Sequence, residues 1–360
     1  MKILLLAVLL LTACAAPTHK PEKRLEISEV HKEEWVAETR KWLRDSDRLE
    51  SVSFRVLTKG IDYCKTLDHT APYLGVHFWS NQQLQPEWRE VALSKLNLGS
   101  EPQISLVVPS SPADSAGLKA YDKIMEVNGV ATQTVPDTLK MINETAATGN
   151  PATFTIQRGD ERQMISVTPI MACKSRVAMV IDNAINTAAD GEAIQITRGL
   201  LHFAESDEEI AVIVSHQLAH NARKHQRTNT VVGVLGGILG GAVGMAGDLG
   251  LGLLTGGTFV SGAFTEAGWV AGKSMAGGTS VSQLKQADQD SLHLMAIAGY
   301  EIEDVPAFWH RVQEFNDPKS INGFRNSHPF SQERFLTMET TQKEIKEKIQ
   351  SGNSPYALNF

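Results

Sequence analysis

One stretch constrains this chain more than any other: Ser206-Asp207-Glu208-Glu209, an apolar run, then His216-Gln217-Leu218-Ala219-His220. A serine followed by three acids opens a helix. The hydroxyl accepts from a free backbone N–H, and the carboxylates favour the positive end of the helix dipole. The spacing of Ser206 and Glu209 predicts a capping box. Ile210, Ile213 and Val214 carry the helix on to about Arg223. Residues four apart share a helix face, so His216 and His220 stand side by side, at a spacing that suits a metal ion. Where such a pair serves zinc hydrolysis, the residue after the first histidine is a glutamate that takes a proton from metal-bound water. Here that position is Gln217, and an amide cannot take a proton at neutral pH.

The chain has 360 residues, 42% hydrophobic and 21% charged, which predicts a globular molecule of two or three domains. The net charge of -7 with no basic stripe excludes nucleic acid as a partner. Lys2 and the apolar run Ile3 to Leu11 read as an export signal too short to span a bilayer. Leu11-Thr12-Ala13-Cys14 resembles a bacterial lipobox. That reading makes residues 1–13 a signal peptide and Cys14 a lipidated new N-terminus; the alternative is an ordinary signal peptide with an incidental cysteine. With Ala15 next, resemblance to Gram-negative sorting implies an outer-membrane anchor facing the periplasm. Residues 14–28, polar with two prolines, read as a tether. Two cysteines remain, Cys64 and Cys173, on either side of the middle domain. An oxidising compartment permits a bridge that staples the entry and exit of that domain; two buried thiols are the alternative.

Residues 29–66 carry helical periodicity from Val30, Trp35, Val36 and Trp42 to Val56 and Ile61, as one long helix or two consecutive ones. Pro72 marks a break. Residues 72–170 form a separate unit with strands at Tyr73-Leu74-Gly75-Val76 and Ile104 to Val108, and a hairpin turn at Asn128-Gly129. A helix over 136–146 and strands over 154–156 and 165–167 follow. Its run Ser111-Pro112-Ala113-Asp114-Ser115-Ala116-Gly117-Leu118, then Asp122-Lys123-Ile124 and Val127-Asn128-Gly129, resembles the PDZ domain, with Tyr121 where that family usually has glycine. The resemblance implies that extended peptides add as a strand, their C-terminal carboxylate held by the loop Tyr73, Leu74, Gly75 and Val76. A spacer or lid is the other use for such a module.

Beyond it, residues 174–345 form the second body, and residues 346–360 read as a tail. A strand is predicted over Ala193 to Thr197. Helices are predicted over 280–300 and 305–316, and another from about Gln332, after a Ser327-His328-Pro329 loop. Residues 231–278 hold 16 of the 28 glycines. They read either as a small-residue helical pair or loop beside the histidine helix, or as a membrane-inserting hairpin. The fold class is α+β: a mainly helical domain with a small sheet, interrupted by a PDZ β-barrel-like domain.

Asn183-Ala184 leading to Thr197-Arg198-Gly199-Leu200, the acidic cap before the histidine helix, Ala287-Asp288 with Ala298-Gly299-Tyr300, and His328-Pro329 with Arg334 together resemble the gluzincin metallopeptidases of the HtpX, BepA and CAAX-prenyl-endopeptidase family. The resemblance covers residues 29–66 and 174–345. It implies zinc held by His216 and His220, with a glutamate as third ligand four residues before Asp288. That position is Leu284, which cannot bind metal. In some relatives the histidine of the His-Pro loop joins the zinc, which here is His328. The resemblance further gives Asp288 a supporting role behind a ligand, Arg334 an oxyanion role in an active relative, with a structural ion pair as the alternative here, and His225 a structural one; Gln286 and Asp288 are weaker substitute ligands. His293 and His310 read as ordinary histidines.

Base and third ligand are thus both replaced, and catalytic zinc sites keep three protein ligands and an open position. The expectation is an envelope lipoprotein that is a pseudoprotease. It binds C-terminal or unfolded segments of envelope proteins through the PDZ groove and along an edge strand at Ala193 to Thr197. The alternative is an active zinc metalloendopeptidase of periplasmic quality control.

Overall fold

A computed structural model of the chain describes residues 27–225, 280–315, 328–353 and 355. Cys14, nearly all of the tether and the glycine-rich stretch 231–278 lie outside the described residues. No helix among those described is long and apolar enough to cross a membrane.

The chain opens with α1 (Glu29–Lys59), capped by Ser28, and α2 (Ile61–Thr66). Apolar side chains spaced three and four apart line α1, and Trp35, Trp42, Leu49, Val52 and Val56 are all buried. A two-stranded ribbon then marks where the middle domain enters and leaves. β1 (Thr70–Tyr73) pairs antiparallel with the later strand Ile170–Cys173, Thr70 opposite Cys173 and Tyr73 opposite Ile170. Pro72 is therefore inside a strand, not at a break. A disulfide joins Cys64 to Cys173 at the base of this ribbon, with 5.4 Å between the Cα atoms.

Between the ribbon strands lie β2 (Val76–Trp79), α3 (Pro86–Leu96), β3 (Gln103–Val107), α4 (Pro112–Ser115), β4 (Lys123–Val127), β5 (Val130–Ala131), α5 (Val135–Ala147), β6 (Ala152–Arg158) and β7 (Glu161–Val167). The exit strand is β8 (Ile170–Cys173). The sheet order is β2-β3-β4-β6-β7, all antiparallel, with β5 on β4. Phe78, Ile104, Leu118, Ile124, Ile142 and Phe154 fill its core. Tyr121, the departure from glycine, adopts φ +73° with its side chain half exposed.

Helix α3 was not evident in the sequence, whose pattern there is weakly amphipathic. It packs away from the PDZ core: Trp88 stacks on Trp35 of α1 at 5.2 Å, and Trp79, Leu84 and Val91 join the large core beside it. The inserted domain is thus fastened to the rest by an apolar joint as well as by the ribbon and the disulfide.

The remaining body holds β9 (Arg176–Val180), β10 (Thr187–Ala189), β11 (Ala193–Thr197), α6 (Arg198–Phe203), α7 (Asp207–Ala222), α8 (Val281–Ala298), α9 (Val305–Glu314) and α10 (Gln332–Gln350). Helix α10 runs past residue 345, so the tail begins later than expected. The three-stranded sheet has the order β10-β11-β9, β11 parallel to β9 and antiparallel to β10. Ala193 to Thr197 is therefore the central strand, fully buried and paired on both sides, not the edge expected for client binding. The outer strands are β9 and β10. The helices α1, α7 and α8 bury their apolar faces in one core with this sheet.

A candidate metal centre with two carboxylates replaced

Helix α7 starts as the acids dictate: the Ser206 hydroxyl accepts from Glu209 N–H at 3.3 Å. The capping box is incomplete. Glu209 instead accepts from Glu205 N–H at 2.7 Å and pairs with Arg311, which draws its carboxylate away from the cap. Every residue of α7 from Ile210 to Ala222 is buried, so its two histidines sit in the interior.

His216 and His220 face each other with their Nε2 atoms 3.2 Å apart. His328, on the loop before α10, completes a trio whose ligand-capable atoms all lie within 4.8 Å of one another. Gln217 lies beside it, its Nε2 3.4 Å from His328 Nε2. Leu284, on α8, is wholly buried. It stands one turn before Asp288 on the same helix face, and among the described residues it joins neither apolar cluster.

Behind the trio run two sets of polar contacts. In the first, Asp288 stands 3.1 Å from His216 Nδ1, a charge contact without full hydrogen-bond geometry. Arg334 clasps Asp288 with two donors, Nε to Oδ2 at 2.7 Å and Nη2 to Oδ1 at 2.8 Å. Its third nitrogen donates to the carbonyls of Pro329 at 3.0 Å and His328 at 3.4 Å. In the second, His225 Nδ1 meets His220 Nδ1 at 3.0 Å, and His225 Nε2 meets Gln286 Oε1 at 3.2 Å.

The second set fixes tautomers. Gln286 Oε1 can only accept, so His225 carries its proton on Nε2 and offers a lone pair at Nδ1. His220 then donates from Nδ1, which leaves its Nε2 as a lone pair aimed at the trio. The Asp288 carboxylate favours the proton on His216 Nδ1, which leaves His216 Nε2 a lone pair too. Two lone pairs face each other at 3.2 Å, close to the roughly 3.3 Å between two nitrogens that share a tetrahedral zinc. Burial lowers the pKa of His216 against the opposing pull of Asp288. Burial, then the neighbouring histidines, lowers that of His220 further. Neutral imidazoles are the ligating form. The donor set thus fits a metal ion, which His216, His220 and His328 would hold.

Among the described residues, the trio is joined by no carboxylate placed as a base or as a further ligand. Gln217 offers only an amide and Leu284 only methyl groups. Arg334 is wholly buried and bonded to Asp288 and two carbonyls, a tether that ties the His-Pro loop to α8. Gln286 serves His225 rather than standing in as a ligand. His310 stacks on Phe335 at 3.8 Å, and His293 meets the Pro355 carbonyl at 2.8 Å, both outside the centre.

The groove loop lies elsewhere. Tyr73 ends β1, Leu74 and Gly75 form the turn, and Val76 begins β2. Gly75 has φ +80°, and a Cβ there would come within 2.2 Å of Ser111 Cβ, so only glycine fits.

Residues 164–342 match the family model described as peptidase family M48, and residues 72–168 match that of the PDZ domain. The chain carries a peptidase family M48 domain and a PDZ domain. The family is typically zinc-dependent, and PDZ domains bind peptides such as protein C-termini. Among curated proteins, the chain is similar to the putative serine protease HhoB of Synechocystis sp. (strain ATCC 27184 / PCC 6803 / Kazusa), at 31% identity over 126 residues. That match covers 33% of this chain and spans 28% of the relative's length. Among solved structures it is similar to the HtrA3 PDZ domain bound to a phage-derived ligand (FGRWV). The identity is 21% and the TM-score 0.23, over 29% of this chain and 88% of that one. A PDZ domain protein from Parabacteroides distasonis ATCC 8503 matches at 20% identity and TM-score 0.23, over 34% of this chain and 23% of that one.

Proposed function

We propose that this M48-family protein is a pseudoprotease that binds, rather than cleaves, C-terminal or unfolded segments of envelope proteins. The observation that carries this reading is the pair Gln217 and Leu284. The first stands where the family's proton acceptor belongs, beside the histidine trio. The second is a buried leucine on the helix face that carries Asp288, where the third ligand belongs. General acid–base assistance contributes roughly 10²–10⁴ in rate. With the acidic ligand gone as well, the histidine trio holds metal as a structural or regulatory group. Binding falls to the PDZ groove.

The test is metal content together with casein cleavage, for the wild type and for the double variant Gln217→Glu, Leu284→Glu. The expected outcome is cleavage by the double variant alone. Wild-type cleavage at a comparable rate, abolished by a chelator, supports the active endopeptidase reading instead. Stoichiometric zinc in the wild type with no cleavage fits the reading; no zinc at all rules out the three-histidine site. We further propose that Cys14 is lipidated and anchors the protein to the outer membrane, facing the periplasm. Labelling with a palmitate analogue, lost in Cys14→Ser, tests the anchor, and fractionation tests the location.

A further inference from the structure

The peptide groove is not an open furrow on the surface. A cavity of ≈ 610 Å³ has as one wall the loop Leu74–Gly75, strand β2 and helix α5, and as its opposite wall helix α1 and strand β9 of the peptidase-like body. Its volume lies in the range of ligand pockets. Strand β2 is the outer strand of its sheet and β9 the outer strand of the other, and both border this one space. An extended segment added to β2 is therefore roofed by a second protein surface.

Alternation along β2 divides the work. Phe78 is buried in the PDZ core and Val76 packs against it, so His77 turns the other way. His77 Nε2 meets Glu50 Oε1 of α1 at 3.3 Å. Glu50 is only 6% exposed, an acid buried in a wall that is otherwise mostly apolar. The nearby Tyr73 hydroxyl is closed off from solvent and, among the described residues, has no hydrogen-bond partner. At the rim, Lys174 is neutralised by Glu192 at 2.7 Å, and Arg176 lies exposed at the start of β9.

A bound strand alternates in the same way. If its last side chain enters the apolar side beside Leu74 and Ile142, its next-to-last side chain turns towards α1 and Glu50. A buried carboxylate met by one histidine at the edge of hydrogen-bonding distance is best served by a full cation. We infer that the PDZ and peptidase-like bodies form one composite peptide site, for C-terminal segments with an apolar last residue and a lysine or arginine before it. Glu50 makes that selection. The inference rests on the reading that the groove takes protein C-termini.

The test uses the full chain and fluorescent pentapeptides that differ at one position, ending in Lys-Leu, Gln-Leu or Glu-Leu, read by polarisation. The expected result is binding of the Lys-Leu peptide about tenfold or more tighter than the Glu-Leu peptide, with Gln-Leu between. In Glu50→Gln the spread collapses to about threefold or less. Equal affinities in the wild type overturn the inference, as does a folded Glu50→Gln that keeps the preference. Should that variant not fold, the wild-type series decides alone. If the peptides bind without preference, the inference fails while the reading of the groove beneath it stands. If none of them binds at any concentration, the reading of the groove beneath it fails as well.

Discussion

Arg334→Met should be the most damaging single change in the peptidase-like domain that replaces no metal-ligand residue. The guanidinium is wholly buried, and so is the Asp288 carboxylate it clasps with two donors. Removing one member of a buried ion pair costs about 3–5 kcal/mol, because the other charge is left without a partner. The carbonyls of His328 and Pro329 lose their charged donor as well, while methionine against the Phe330 ring, now 4.9 Å from the guanidinium, recovers part of the packing. A net loss of about 4 kcal/mol is expected. Asp288→Asn in the same chain removes the orphaned charge. The double variant should therefore be less damaged than the sum of the singles by about 2 kcal/mol or more. Urea unfolding followed by tryptophan fluorescence suits the measurement, since Trp309 stands edge-on to His216 at 5.6 Å. A loss in Arg334→Met below about 1 kcal/mol, with additive singles, would falsify the tether and return Arg334 to an oxyanion role.

Other consequences can be measured independently. His225→Phe leaves His220 without the acceptor that fixes its tautomer, and should weaken zinc affinity about 10–100-fold in equilibrium dialysis while His216, His220 and His328 remain. Tyr121→Gly relieves a left-handed backbone at an exposed side chain and should stabilise the PDZ domain by about 1 kcal/mol in thermal unfolding. Replacing Cys64 and Cys173 together by serine opens a cross-link spanning 109 residues and should cost about 3–5 kcal/mol in chemical denaturation. His69 is buried with no partner for Nε2 among the described residues, and burial, then Lys174, lowers its pKa below the ordinary 6.5. The unfolded chain therefore takes up a proton that the folded chain refuses. Stability from this group is full above pH 6.5 and falls by up to about 1.4 kcal/mol per pH unit below it, until the folded value is reached. His69→Phe should flatten that acid limb by one proton.

Much of this architecture was legible because local chemistry and fold agree. The Ser206 cap with its acids, the histidine pair one turn apart and the PDZ run from Ser111 to Gly129 each specify a local geometry that the tertiary structure leaves intact. The failures lie where partners arrive from elsewhere in the chain. Glu209 has the right spacing for a capping box, yet Arg311, a hundred residues away, draws its carboxylate aside. Ala193 to Thr197 reads as a strand, but nothing in five residues says whether a strand is central or at an edge; β10 and β9 decide that. Helix α3 is weakly amphipathic because it spends its tryptophan on a core built by α1. Glu50 looks like one more polar residue of a long helix until the folded chain sets it against β2.

The same distinction bears on what the surviving motif residues mean. His216 has Asp288 behind it, Asp288 has Arg334, and Arg334 has the carbonyls of the His-Pro loop. His220 has His225, and His225 has Gln286. Each of these side chains holds α7, α8 or the loop before α10 in place, so each has a structural reason to be present whether or not a peptide bond is ever cut. Among the described residues, Gln217 meets only His328, at 3.4 Å, and Leu284 has no polar group to offer. In a working enzyme of this type the occupants of these two positions would face a metal ion and its water, and would contribute little to folding. On the pseudoprotease reading proposed above, an intact scaffold around replaced catalytic positions is what folding physics allows. The presence of the scaffold cannot be counted as evidence for catalysis. The decisive positions are the two that only catalysis would need, and an amide and a hydrocarbon occupy them.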